Sequence, residues 1–195
     1  FPALMMLFED NFKRFIVYGA TAQTGFALMG LATGSDDGFS GILIYFCIYL
    51  IMNFGIFAII LSLRQKKQAV DSLRHLAGFS KSHPFLAFSL LVAIFSMAGV
   101  PPFAGFLGKW LILLSVMEAQ LYLLGFIGLV TSCLAAISYL RIIKIMYFDD
   151  LLEPLDPGIS KGTQFVVFTT LALLLLFPIM PDPVISAAKG AVSYL

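Results

Sequence analysis

The chain has 195 residues, 60% of them hydrophobic and 12% charged, with a formal net charge of +1 and a mean hydropathy of +0.97. Soluble domains carry about 25% charged residues, so the composition excludes a soluble globular domain and describes an integral membrane protein. With no basic run longer than Lys66–Lys67, it also excludes a nucleic-acid binder. The two cysteines, Cys47 and Cys133, lie in apolar stretches and are expected to be buried small hydrophobes, not a disulfide or a zinc site.

A membrane-spanning helix needs about 20 apolar residues. The chain opens on Phe1 without a basic, cleavable leader, which predicts a processed product or a piece of a longer chain. Residues 1–9 read as the end of an earlier span. Spans are expected over Phe15–Ala32 and Gly41–Leu63. The polar loop 64–84 holds a stretch, Asp71 to Gly78, that reads as a short helix closed by Gly78. A helix starting near Phe85 is expected to halt at Gly99-Val-Pro-Pro102, where two adjacent prolines remove backbone donors. Another helix follows over Phe103–Ala119, then spans over Tyr122–Phe148 and Thr163–Ile179. Pro154 and Pro157 punctuate the loop between these last two. Residues 182–195 read as a short interfacial tail.

Lys109 stands out. It follows 25 uncharged residues (Pro84–Gly108), with 8 more before Glu118 and 22 after it (Ala119–Leu140). An ammonium in a membrane segment costs about 2.5–3.5 kcal/mol on insertion scales, and such groups mark ion pathways. A broken helix at membrane depth is tolerated only where protein or a water-filled cavity satisfies the freed backbone. A lysine beside a break therefore points to a proton relay; the competing reading is a lysine snorkelling from a helix end. Its neighbours one turn away, Gly105, Phe106, Ile112 and Leu113, cannot neutralise it. Its partners must come from another helix or from water.

Charge decides whether the segments flanking the break cross once together or twice. With a single crossing, Lys13, Arg14, Arg64, Lys66, Lys67, Arg74, Lys81, Arg141, Lys144 and Lys161 share one side, and the Asp36–Asp37 loop, Glu118 and Lys189 take the other. Two crossings would move Arg141, Lys144 and Lys161 across. The positive-inside rule favours one discontinuous span. The fold class is thus an all-α polytopic bundle of about five spans, one of them broken, forming a single membrane domain over residues 1–195 with loop 64–84 on the positive, matrix or cytoplasmic, side.

Other polar groups are less decisive. Glu118 lies about 13 Å along the helix from Lys109 on the opposite face; it reads as an interfacial residue, or as a gate at the exit. Tyr45, Tyr49 and Asn53 make a polar stripe at i, i+4, i+8, in which Asn53 could hold water or simply hydrogen-bond between helices. Arg141 and Lys144 read as snorkelling anchors, with Arg141 deep enough to line a channel. His75 and His83 lack ligand partners at metal-binding spacing.

Three ordered motifs carry a family resemblance. Asp10-Asn-Phe-Lys13-Arg14-Phe-Ile-Val-Tyr18 resembles the entry to a transmembrane helix in the antiporter-like subunits of respiratory complex I. Phe95-Ser-Met-Ala-Gly-Val-Pro-Pro-Phe-Ala-Gly-Phe-Leu-Gly-Lys109 resembles their broken helix and its lysine. Tyr139 to Asp150 is similar to the late part of the chain 2 or subunit N type, in its mitochondrial and alphaproteobacterial forms. The family's usual serines after the tyrosine are replaced by Gly19-Ala-Thr21-Ala-Gln23.

The resemblance implies a C-terminal part of a fourteen-span subunit built from two inverted five-helix repeats. The chain would hold spans ten to fourteen, with Lys109 in a hydrated proton relay and Glu118, Arg141, Lys144, Lys13 and Asn53 as further candidates. It implies no cofactor in this chain; NADH, FMN, iron–sulfur clusters and ubiquinone would sit in partner subunits. Expected partners are the other membrane-arm subunits, lipid, and a second chain carrying the N-terminal part. The expected location is the mitochondrial inner membrane or a bacterial plasma membrane. The rival readings are a cation/proton antiporter or membrane-bound hydrogenase subunit, and a non-transporting scaffold.

Overall fold

The computed structural model describes residues 1–65, 68–69, 72–150 and 160–194; Lys66, Lys67, Asp71, Pro154 and Pro157 lie outside the described residues. The architecture is helical: α1 Pro2–Phe8, α2 Phe12–Ala32, α3 Asp36–Ser62, α4 Phe79–Ser82, α5 Pro84–Ala98, α6 Ala104–Glu118, α7 Tyr122–Phe148, α8 Lys161–Leu176 and α9 Asp182–Val192. A hairpin of two-residue strands, β1 Arg64–Gln65 and β2 Gln68–Ala69, is a small addition to this all-α bundle.

Among the described residues three helices, α2, α3 and α7, are long and apolar enough to cross a membrane. The α2 helix begins earlier than expected, because the Asn11 side chain accepts from Arg14 N and brings the two cations into the first turn. Likewise α3 begins at Asp36, so that aspartate pair is not a loop. The Ser35 hydroxyl caps it, and two acids suit the positive end of a helix dipole.

α3 is the central strut, packing on α2, α5, α6, α8 and α9. At 1.5 Å per residue its 27 residues measure about 40 Å, whereas α5 and α6, 15 residues each, measure about 22 Å and fall short of a ~30 Å hydrocarbon core. The two short helices divide α3 between them. Gly41 lies beside Ile112, and Gly108 against Tyr45 and Ile48. Farther along, Tyr49, Asn53 and Ile56 share a cavity wall with Met97, Ile94 and Leu90. So α5 and α6 form one interrupted course antiparallel to α3, broken at Gly99–Phe103.

Single passage gathers the basic residues at one end. Asp10 pairs there with Arg141 and, at 3.5 Å, with Arg74, and Lys81 lies 3.6 Å from Asp150. Residues 72–84 are bound into this end. Leu73, Leu76 and Phe79 are fully buried, Leu73 N donates to Asp10 O, and Gly78 N donates to Ile145 O. The expected short helix is a 3-10 turn over Leu73–Leu76 that Ser72 caps; Gly78, at φ +67°, then turns the chain into α4.

The C-terminal segment, expected as a short interfacial tail, forms the helix α9. α9 packs along the first turns of α3, with Ile185 beside Ile44 and Lys189 3.9 Å from Asp37. Its amphipathic pattern buries Ala188 and Val192. The cysteines also depart from expectation: Cys47 and Cys133 are free and exposed. In a membrane protein an apolar context does not imply burial in protein, since outward-facing side chains meet lipid.

Candidate functional site

An α-helix leaves its last four carbonyls without partners, and the end of α5 accounts for all four. Gly99 adopts φ +80°, which a glycine reaches without steric cost, and closes the helix. Its N–H donates to Phe95 O and Ser96 O, and Val100 N donates to Phe95 O at 3.1 Å. Met97 and Ala98 carbonyls remain. Lys109, one and a half turns into α6, reaches back to them: Nζ donates to Met97 O at 2.9 Å and Ala98 O at 3.4 Å. Its third partner is the Ser132 hydroxyl of α7 at 3.0 Å. α6 comes this close because Gly105 lies on the Ser96 backbone where no Cβ fits, with its N–H donating to Ser96 Oγ at 2.8 Å.

Lys109 is 6% exposed. Its hydrogen-bond partners are neutral, yet the carbonyl end of a helix carries partial negative charge and favours a cation. The Phe26 ring, 5.7 Å from Nζ, adds a cation–π contact. A second layer fixes the cradle. Gln23, buried in α2, donates to Met97 O at 3.1 Å and accepts from the buried Tyr45 hydroxyl. Beyond Met97 lies a cavity of about 20 Å³ whose walls include Tyr49, Asn53 and Tyr139. A water needs about 10–15 Å³ of such space and two to four polar partners. The cavity lining is almost wholly apolar, so this space does not supply a water site; what the arrangement holds is the buried ammonium.

The other expected residues lie elsewhere. Asn53 lines that cavity while its Nδ2 donates to Tyr49 O of its own helix at 2.8 Å. Glu118 is exposed at the end of α6, on a 360 Å³ cleft with Asp37, Ser40 and Lys189. Arg141 is about 13 Å along α7 from Ser132. It donates to Leu7 O at 3.1 Å and Glu9 O at 3.3 Å and pairs with Asp10, joining α7 to the α1–α2 corner. Lys144 is exposed and pairs with Asp149 at 3.5 Å. Lys13 is exposed in the first turn of α2. His83 stacks on Phe79, and partial burial lowers its imidazole pKa from the ordinary value. Thus only Asn53 of the secondary candidates approaches the Lys109 cluster. Sequence reasoning missed Gln23 as a cradle residue and Ser132 altogether. The one signal for Gln23 was an amide side chain in an apolar span.

Residues 1–135 match the family described as NADH:quinone oxidoreductase/Mrp antiporter, TM. The chain belongs to that family. It is 43% identical over 187 residues to NADH-quinone oxidoreductase subunit N of Paramagnetospirillum magneticum, covering 96% of this chain and 38% of that protein. The subunit N of Rhodospirillum rubrum gives the same identity and coverage. The chain therefore spans about two fifths of the length of these relatives. Among solved structures, respiratory complex I from Thermus thermophilus with bound aureothin superposes with a TM-score of 0.84 at 27% identity, over 96% of this chain and 42% of that one. The Mrp complex from Dietzia also gives 0.84, over 100% and 44%, and at 17% identity it shows the shared fold alone. Within this NADH:quinone oxidoreductase/Mrp family match lie α1 to α6, the break and Lys109; most of α7, including Ser132, lies there too.

Proposed function

We propose that this chain is the C-terminal part of a subunit N-type component of proton-pumping NADH:quinone oxidoreductase, and that Lys109 is the protonatable centre of its relay. The observation that carries the reading is a buried lysine whose ammonium takes up the two carbonyls left over at a helix break. A structural scaffold gains nothing from an ionisable group there that an apolar, unbroken span would not supply. Redox chemistry, with NADH, flavin, clusters and quinone, belongs to other subunits. The remaining spans, in the same or another polypeptide, pack beside this bundle with the neighbouring membrane-arm subunits. The alphaproteobacterial relatives favour a bacterial plasma membrane over the mitochondrial inner membrane, with loop 64–84 on the cytoplasmic side.

The test is Lys109→Met in the assembled complex, reconstituted into proteoliposomes and driven with NADH and a quinone. Met keeps most of the side-chain volume and removes the proton-carrying group. The expected outcome is a complex that assembles, with strongly reduced proton translocation and turnover. Wild-type translocation by an assembled Lys109→Met complex would remove the relay assignment.

A further inference from the structure

The three acceptors around Lys109 are not equivalent. Carbonyl oxygens only accept, so Met97 O and Ala98 O can serve an N–H of either the ammonium or the amine but cannot hydrogen-bond a nitrogen lone pair. A hydroxyl both accepts and donates. Ser132 is the partner able to satisfy Nζ in both protonation states. Its engagement also differs from that of several other hydroxyls in these helices. Thr21, Thr131, Ser115 and Ser138 all donate to carbonyls three or four residues back in their own helices. Ser132 is bonded to Lys109 instead.

Ser132 also lies close to the surface of the bundle. It is half-buried, and one residue away Thr131 lines a 220 Å³ cleft between α2 and α7, with Thr21, Gly25, Phe26 and Gly128. The Phe26 ring on its wall is the one that faces Lys109. The Thr21 and Thr131 hydroxyls have already donated, at 2.9 Å and 2.8 Å, which leaves their lone pairs to accept from water.

We propose that Ser132 is the proton-transfer partner of Lys109, an inference that rests on the relay reading of that lysine. The Nζ–H bond directed at Ser132 breaks and Oγ takes that proton. At the same time the hydroxyl's own proton passes to a water on the exposed side of Ser132. The products are a neutral amine, an intact serine and a hydronium. The transferred proton leaves the hydroxyl already donating to the Nζ lone pair, while the two remaining N–H groups stay on Met97 O and Ala98 O. Reprotonation reverses the sequence.

An isosteric pair tests this. Ser132→Thr and Ser132→Val have nearly the same shape and both tolerate a helix, but only Thr keeps the hydroxyl, and the Val methyl leaves no room for a substitute water. Each is placed in the complete complex in proteoliposomes and assayed for NADH-driven proton translocation beside Lys109→Met. The expected result is translocation within about twofold of wild type for Ser132→Thr and about a hundredfold lower for Ser132→Val, the lower end of typical acid–base contributions. A packing role would affect the two alike, so equal translocation by Thr and Val overturns the proposal. If Lys109→Met is defective while Ser132→Val is not, Ser132 alone is excluded. If Lys109→Met translocates normally, the relay reading falls and this inference with it.

Discussion

Gly99→Ala probes the cradle from the backbone side, and the structure supplies its own control in Gly34→Ala. Both glycines hold positive φ, +80° and +63°. An alanine in that region costs about 1–2 kcal/mol at either place. The surroundings differ. A Cβ on Gly34 meets nothing within 4 Å, whereas one on Gly99 lies 3.0 Å from Lys109 Cδ and 3.5 Å from Nζ. Lys109 must retreat by a few tenths of an ångström. Its 3.4 Å bond to Ala98 O is already near the limit of a hydrogen bond and is the first to be lost. Interhelical hydrogen bonds in membranes average about 0.6 kcal/mol and reach about 1.7. Gly99→Ala should therefore destabilise by about 2–3 kcal/mol and Gly34→Ala by about 1–2. The midpoint of thermal dissociation of the detergent-solubilised complex measures the difference, and proton translocation measures its consequence. Only Gly99→Ala should lower translocation. Equal translocation by the two variants, with both strains visible in the melts, would refute the claim that Gly99 sets the position of Lys109.

Lys109→Arg separates capping from relay: a guanidinium can still donate to the Met97 and Ala98 carbonyls but does not release its proton, so the complex should assemble about as well as wild type and translocate no better than Lys109→Met. Arg141→Gln should act oppositely. It loosens the join between α7 and the α1–α2 corner, with a stability loss of about 1–2 kcal/mol in thermal dissociation because it removes charge-assisted bonds to two carbonyls and Asp10. Translocation per assembled complex should stay near wild type; a translocation defect without a stability defect would make Arg141 part of the path.

What the sequence disclosed follows from the kind of signal each element carries. The limits of α7, Tyr122–Phe148, were legible because a long apolar run ends in charged residues at Asp149–Asp150. The break was legible because Gly99, Pro101 and Pro102 forbid a regular helix whatever surrounds them. The single crossing was legible from charge. The starts of α2 and α3 were missed because hydropathy discounts polar first turns, although Asn11 and Ser35 mark both. The partners of Lys109 were hidden for a different reason. Two are main-chain carbonyls, which have no residue signature, and the third is 23 positions away on another helix. Gln23 looked like one amide on an apolar span until packing set it against Met97 O. The position of α9 was hidden as well, since a short segment that follows several prolines reads as a tail until α3 is seen to accept it.

The break and the lysine each make the other tolerable. Two carbonyls with no donor at membrane depth are costly, and so is an isolated ammonium. Brought together, the carbonyls become a cation site with the partial charge of a helix terminus behind them. The same pairing also explains how the charge can change without a penalty. In the charged state, three N–H groups meet two carbonyls and a hydroxyl. In the neutral state, two N–H groups stay on the carbonyls and the lone pair takes the hydroxyl proton. No buried group loses its partner in either state, and no side chain has to move. A continuous helix could bury a lysine only by importing a carboxylate, and that counter-charge would hold the proton in place. Neutral carbonyl acceptors stabilise the cation without fixing it, which is what a relay group needs and a structural anchor does not.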